Sequence, residues 1–344
     1  MDTKNLRFVE SLNCALHQSF ETDNRVHIIG EDVSDPSGGT FRVTKGLSSR
    51  FPDRVISTPI SESSIVGVGI GLALRGMLPI VEIMFGDFLT LCADQIINHA
   101  AKYPWVFNDQ VSVPLVVRTP MGGRRGYGPT HSQTLEAIFF NTPHIKIIAP
   151  SHFHLPGEIL RHSIFSEKTL TLFIENKLLY AQRLINAETS PDLAIQVLTD
   201  TDPRYPTITV DVPGEQEPDA VVICYGGMAE VAIDAQEQLF SDEELRIRVI
   251  IPSQIIPMPM LDILRAIGSC SRVVVAEEGH RTSGWGAELS ATLYEQRFKQ
   301  LDSPIKRVAA KNCPIPTGKP LEQQMLPSKD DIIRAVFEMI DINL

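Results

Sequence analysis

Short apolar runs alternate with amphipathic stretches along almost the whole chain, and this alternation restricts the fold more than any single motif. Leu6–Phe20 carries Leu6, Val9, Leu12 and Leu16 at helical spacing, and Val26–Gly30 then reads as a short buried strand ending in a glycine turn. Val55–Ile56, Ile80–Met84, Leu115–Arg118 and Ile145–Ala149 are further strand candidates. Between them Ile65–Arg75, Leu89–Lys102 and Thr134–Phe140 read as helices, the last stopped before Pro143. Such alternation predicts an α/β fold with a mainly parallel sheet covered on both faces. Gly67, Gly69 and Gly71 lower helix propensity in the Ile65–Arg75 run, so they are tolerable only where another backbone packs very close.

The pattern pauses over residues 186–217, which are rich in Pro, Asp, Glu and Thr and read as a linker with one edge strand. It resumes at Ala220–Tyr225, turns at Gly226–Gly227 into a helix over Ala229–Leu239, and continues through Arg248–Ile251, Val273–Ala276 and a closing helix, Ile332–Ile340. The expected organisation is two α/β domains, 1–185 and 218–344, which suits a chain of 344 residues. Lys and Arg total 31 against 42 for Asp and Glu, a net charge of −11 that repels phosphate backbones and argues against nucleic-acid binding. No apolar run approaches the ~20 residues of a membrane span. The N-terminus shows no pattern of a signal peptide. The five cysteines are scattered and never spaced CxxC, which points to a reducing cytoplasm and away from a disulfide framework or zinc site.

Chemistry could sit in a few places. Glu62, in Pro59-Ile60-Ser61-Glu62, follows a strand and opens the glycine-rich helix. It reads either as a first-turn carboxylate favoured by the helix dipole or as a buried acid where α/β sheets bind ligands. Phe88 lies just beyond a strand, and its plain reading is core. The stretch Gly122–Gln133 is too polar for core and too long for a plain turn, and it places His131 just before an expected helix N-terminus. Ser132 or Thr134 could cap that helix. Glycines around Trp285, in Glu277–Glu288, suit close packing more than catalysis. No GxGxxG, P-loop, HExxH or GxSxG motif is present.

In combination and in this order, these segments are more specific. Gly30-Glu31-Asp32-Val33, Thr58-Pro59-Ile60-Ser61-Glu62, Asp94–Lys102 (DQIINHAAK), Thr130-His131-Ser132-Gln133, Glu277-Glu278-Gly279, Gly284–Glu288 (GWGAE) and Pro314-Ile315-Pro316 run nearly end to end. With them the chain resembles the beta subunits of thiamine-diphosphate-dependent 2-oxoacid dehydrogenases. The resemblance implies a transketolase-like pyrimidine-binding domain followed by a transketolase C-terminal-like domain. It also implies roles for individual residues. Glu62 would hydrogen-bond the aminopyrimidine ring nitrogen of thiamine diphosphate, Phe88 would stack on that ring, and Glu31 would border the same pocket. His131 would act as donor when the acyl group passes to a lipoyl acceptor.

The Gly-Asp-Gly that opens the magnesium and diphosphate site of thiamine enzymes is absent from the sequence; Gly86-Asp87-Phe88 is not it. The resemblance therefore places no metal ligand on this chain and puts the magnesium on a partner alpha subunit, in an α2β2 assembly working with a lipoyl acyltransferase core. Alone, the chain is expected to be a homodimer. Ile251-Pro252-Ser253-Gln254 departs from the Asp-Leu-Arg common in the family. The Ser163–Lys168 loop does not match the potassium ligands of some members, so no potassium site is assigned. Gly128-Pro129-Thr130-His131 also echoes transketolases, which leaves the C-terminal half of a split transketolase as an alternative, beside a non-catalytic assembly subunit.

Overall fold

The computed structural model describes residues 6–214 and 216–340, and it divides into two compact units. The first takes the chain up to Met121 together with Ile138–Leu184, and the second takes Gly122–Ala137 with the chain from Ile185 onward.

The first unit contains α1 (Phe8–Thr22), β1 (Val26–Gly30), α2 (Leu47–Arg50), β2 (Val55–Ser57), α3 (Glu62–Leu74), β3 (Leu78–Glu82), α4 (Tyr103–Val106), β4 (Val116–Met121), β5 (Ile145–Ile148), α5 (Pro156–Phe165) and β6 (Leu170–Asn176). Its strands lie in the order β5-β6-β4-β3-β1-β2, every pair parallel, as the strand–helix alternation requires. α1 buries Phe8, Leu12, Ala15, Leu16 and Phe20 and packs against α5.

α3 is apolar all round, so its sequence does not select a buried face. The fold buries Glu62, Ile65, Val66, Gly69, Ile70 and Ala73, one continuous helical stripe, and leaves Val68 exposed. Glu62 thus begins the stripe that faces the core. The close backbone expected at the three glycines is not found; side chains take its place at one of them. A Cβ on Gly69 would come within 2.7 Å of Val81 Cγ2, so that glycine is needed for close packing on side chains of the sheet, whereas a Cβ on Gly71 would meet nothing within 4 Å.

Two helices expected in or beside this unit take other forms. Instead of one helix over Leu89–Lys102 there is a tight 3-10 turn, Gly86–Cys92, and then a wide π turn, Gln95–Ala100. Gly86 starts the tight turn because it rests on the Met121 side chain with no room for a Cβ. Thr134–Phe140 forms only one 3-10 turn, Glu136–Phe139, and the division between the units falls inside it. Burial of the Glu136 side chain overrides the local helix preference there.

The second unit contains β7 (Ala194–Leu198), β8 (Thr207–Asp211), β9 (Ala220–Cys224), α6 (Met228–Glu243), β10 (Ile247–Pro252), β11 (Gln254–Ile256), α7 (Met260–Ile267), β12 (Val273–His280), α8 (Trp285–Arg297), β13 (Lys306–Ala310), α9 (Lys319–Met325) and α10 (Lys329–Ile340). Its sheet has the order β13-β12-β9-β10-β8-β7, parallel from β13 to β10 and antiparallel for β8 and β7. The linker reading of 186–217 is corrected here. The segment supplies two strands of this sheet rather than one edge strand: Ile208 and Val210 of β8 are buried, and the edge strand β7, half-exposed, pairs antiparallel with it. No helix among the described residues is long and apolar enough to cross a membrane.

Candidate active site

In the first unit β2, β1 and β3 are neighbours, and the residues beyond their carboxyl ends are Glu62, Glu31 and Phe88. Ligands of open parallel sheets bind at such ends. Glu62 is 7% exposed at the first position of α3, where the helix dipole favours a negative charge. Glu31 follows β1 directly and is equally buried, and its Oε1 has no hydrogen-bond partner. Burial first, then the charges of Glu62 and Asp32, raise the Glu31 pKa above the ordinary carboxylate value. The fold thus brings together two acids that are far apart in sequence. A buried acceptor without a donor is costly in a folded protein, so this pair suits a ligand presenting N–H groups, as an aminopyrimidine does.

Phe88 is half-buried in the 3-10 turn after β3, its ring edge-on to Phe85 at 6.1 Å between centroids. Phe85 meets Phe41 edge-on, and Phe41 stacks on Tyr180 at 4.7 Å. The Tyr180 hydroxyl donates to Glu175 Oε2 at 2.7 Å. Glu175 in turn accepts from Arg118, which also pairs with Glu82. A ladder of rings therefore connects Phe88 to a buried ion triad, each ring limiting the orientation of the next. Cys92, one turn beyond Phe88, has its thiol pushed up to about 12 by burial and the Glu62 charge, so it is inert.

His131 belongs to the second unit. It is half-buried, its amide donates to Gly128 O at 3.3 Å, and its Nδ1 lies 3.0 Å from Thr130 Oγ1. No α-helix follows it, so the helix-terminus reading is corrected, and Ser132 Oγ and Thr134 Oγ1 are buried without a partner rather than acting as caps. Two anchors of this loop were not legible in the sequence. Glu136 is buried and accepts from the Tyr225 hydroxyl, and burial pushes its pKa up to about 7, helped by the charges of Glu277 and Glu278. Glu322 on α9 accepts from the amides of Arg124 and Gly126. Neither position carries a local pattern that separates it from an ordinary surface glutamate.

The segment around Trp285 is structural, as its glycines suggest. Trp285 is fully buried and edge-on to Tyr225 at 5.1 Å. Gly286 donates its amide to Glu277 Oε1 at 3.0 Å, and a Cβ there would come within 2.7 Å of the same oxygen. Arg307 completes the contact with Glu277 at 3.1 Å.

Residues 4–182 match the transketolase pyrimidine-binding domain family, and residues 210–332 match the transketolase C-terminal domain family. The 2-oxoisovalerate dehydrogenase subunit beta of Bacillus subtilis is 34% identical over 98% of this chain and 99% of its own. The 3-methyl-2-oxobutanoate dehydrogenase subunit beta of Mycobacterium tuberculosis is 32% identical over 98% of this chain and 93% of its own. The pyruvate dehydrogenase E1 component subunit beta of Leifsonia xyli is 34% identical over 97% and 94%. The chain belongs to the 2-oxoacid dehydrogenase beta-subunit family. A solved structure described as a split-gene transketolase, an inactive beta4 tetramer, superimposes with a TM-score of 0.69 over 96% of this chain and 97% of that one. At 17% identity it shares the fold, whereas the relatives at 32–34% favour the dehydrogenase beta subunits over the split-transketolase alternative. In this beta subunit the residues expected from the family pattern take up two places: Glu31, Glu62 and Phe88 at the strand ends of the first unit, and His131 on the loop of the second.

Proposed function

We propose that this chain is the beta subunit of a thiamine-diphosphate-dependent 2-oxoacid dehydrogenase, oxidatively decarboxylating a pyruvate-like or branched-chain 2-oxoacid and passing the acyl group to a lipoyl acceptor. One observation carries the reading: Glu62 heads the core-facing stripe of α3 beside a buried Glu31 whose Oε1 lacks a donor. When bound, thiamine diphosphate supplies a nucleophilic carbon at which a 2-oxoacid loses carbon dioxide. Glu62 is the residue to share a proton with the aminopyrimidine ring nitrogen. Phe88 offers a ring face for stacking, held by Phe85. Burial, and then the Glu62 charge, favour a proton on Glu31. His131 serves as donor in the transfer step.

The magnesium and diphosphate site falls to an alpha subunit, in an α2β2 assembly bound to a lipoyl acyltransferase core, and cysteines that form no disulfide among the described residues suit a reducing cytoplasm. The chain alone is a homodimer in this reading. It lacks the diphosphate cradle, and a stack plus a hydrogen bond contributes ~2–3 kcal/mol, against the ~8 kcal/mol of micromolar affinity. The purified chain is expected to turn nothing over and to show no micromolar heat of binding on titration with thiamine diphosphate and magnesium. Addition of the matching alpha chain should restore both. Micromolar binding without a partner would assign the wrong half of the site to this chain.

His131→Ala is expected to separate two steps. Acyl transfer to a lipoyl acceptor should fall by about 10²-fold, while decarboxylation read with an artificial electron acceptor should fall much less, because only transfer needs a donor at the leaving sulfur. Equal losses in the two assays on one preparation would make His131 a structural loop residue.

A further inference from the structure

From Gly122 to Gln133 the chain forms neither helix nor strand, yet it carries His131. Its shape rests on side chains elsewhere in its own unit. Glu322 on α9 is 1% exposed; its Oε1 accepts the Arg124 amide at 2.7 Å and its Oε2 accepts the Gly126 amide at 2.9 Å. Glu278, near the end of β12, accepts the Gly123 amide at 2.5 Å. The Arg124 guanidinium donates to the Pro327 carbonyl just beyond α9. Arg124 itself sits at φ +69°, a left-handed backbone that a non-glycine residue adopts only when its surroundings enforce it. The far side of the loop is tied to this anchored side, since Gly122 N reaches Gln133 O at 3.5 Å and His131 N reaches Gly128 O at 3.3 Å.

We propose that Glu322 is a positioning residue of the enzyme: through the Arg124 and Gly126 amides it fixes the loop from which His131 acts. The proposal rests on the reading of His131 as donor in acyl transfer, and it adds a residue remote in sequence that acts only through backbone. The side-chain chemistry is specific. A carboxylate offers two acceptor oxygens to two amides, and both hydrogen bonds are charge-assisted. Glutamine keeps the volume but turns an NH₂ group toward one of the amides, so one bond is lost and one donor is opposed. Alanine leaves both amides without their acceptor in a part-buried loop.

The test uses Glu322→Ala and Glu322→Gln, with Gln324→Ala, an exposed position on the same helix, as the control. Arg124 and Arg125 make the loop a trypsin target, so limited digestion of the full-length chain reads its anchorage without any assay of turnover. Cleavage after Arg124 or Arg125 is expected to be at least about tenfold faster in Glu322→Ala, intermediate in Glu322→Gln and unchanged in Gln324→Ala. In the complex reconstituted with an alpha chain, Glu322→Ala should lower kcat for acyl transfer by about 10- to 100-fold, leave KM for the 2-oxoacid nearly unchanged and spare decarboxylation with an artificial acceptor. If the alanine variant does not fold, the volume-conserving glutamine variant carries the same comparison. Wild-type digestion rates together with wild-type acyl transfer would overturn the proposal. If His131→Ala left acyl transfer intact, the reading of His131 would fall, and with it Glu322 as a residue of the reaction. Faster digestion of the Glu322 variants would then establish an anchor of structure only.

Discussion

Glu62→Gln in the reconstituted complex is expected to lower turnover by about 10²–10⁴-fold, the scale for loss of a positioned acid–base group. The reason is specific to where the fold puts this side chain. Glu62 heads the stripe that continues through Ile65, Val66, Gly69, Ile70 and Ala73, so glutamine of the same shape should keep its place against the core. What the amide cannot do is hold a transferable proton. Stability should change little, since the carboxylate at the start of α3 gains only about 0.3–1 kcal/mol from the helix dipole. The substitution has a second readout in the first unit. The Glu62 charge is one of the causes that raise the Glu31 pKa, so removing it should bring Glu31 back toward its ordinary value, which carboxyl-resolved NMR would detect. A Glu62→Gln complex with turnover within threefold of wild type would return the chain to the role of an assembly subunit.

Arg118→Met should cost the fold about 3–5 kcal/mol, the scale for breaking a buried ion pair from one side. Every residue of β3 and β4 is buried, and those strands carry Glu82 and Arg118. Arg118 Nε donates to Glu175 Oε1 at 2.8 Å and Nη2 to Glu175 Oε2 at 2.5 Å, while Nη1 pairs with Glu82. Without the guanidinium, two buried carboxylates lose the cation that both pair with. Burial already raises the Glu82 pKa in the intact triad, against the pull of Arg118, and its loss should raise it further. An acid whose folded pKa lies above its unfolded value holds more protons when folded, so its protonated form stabilises the fold and the gain is lost as pH rises. The variant should therefore recover stability as the pH is lowered from 7 toward 5, the reverse of ordinary acid denaturation. Urea unfolding at several pH values checks both statements, and a loss below about 1 kcal/mol at pH 7 would mean that the core rearranges around the pair. Because Tyr180, Phe41 and Phe85 lead from this triad to Phe88, the variant should also weaken cofactor binding in the assembled enzyme.

Much of this protein was readable as periodicity. The apolar runs that became β1, β5, β9, β10 and β12 stand out because a strand covered on both faces must be apolar along its length, and the amphipathic run that became α1 stands out because only one of its faces is buried. The order of short motifs carried the family, and with it Glu31, Glu62, Phe88 and His131 as candidates, though each motif by itself has a plain structural reading. What periodicity could not give is anything fixed by contacts between distant segments. The run over Ile65–Arg75 is apolar on all sides, so only packing on the sheet selected the face that begins with Glu62. Thr134–Phe140 has a helical pattern, but burial of Glu136 against Tyr225 holds it in a single turn. The polar composition of residues 186–217 concealed β7 and β8, since an edge strand and its turns have the composition of a linker. Glu322 lies far along the chain from the Arg124 and Gly126 amides it holds. Local sequence determines which segments are helix or strand and which residue types are at hand. The partner of a buried carboxylate is decided only when the chain closes, because its desolvation is offset by whichever donors the fold brings to it.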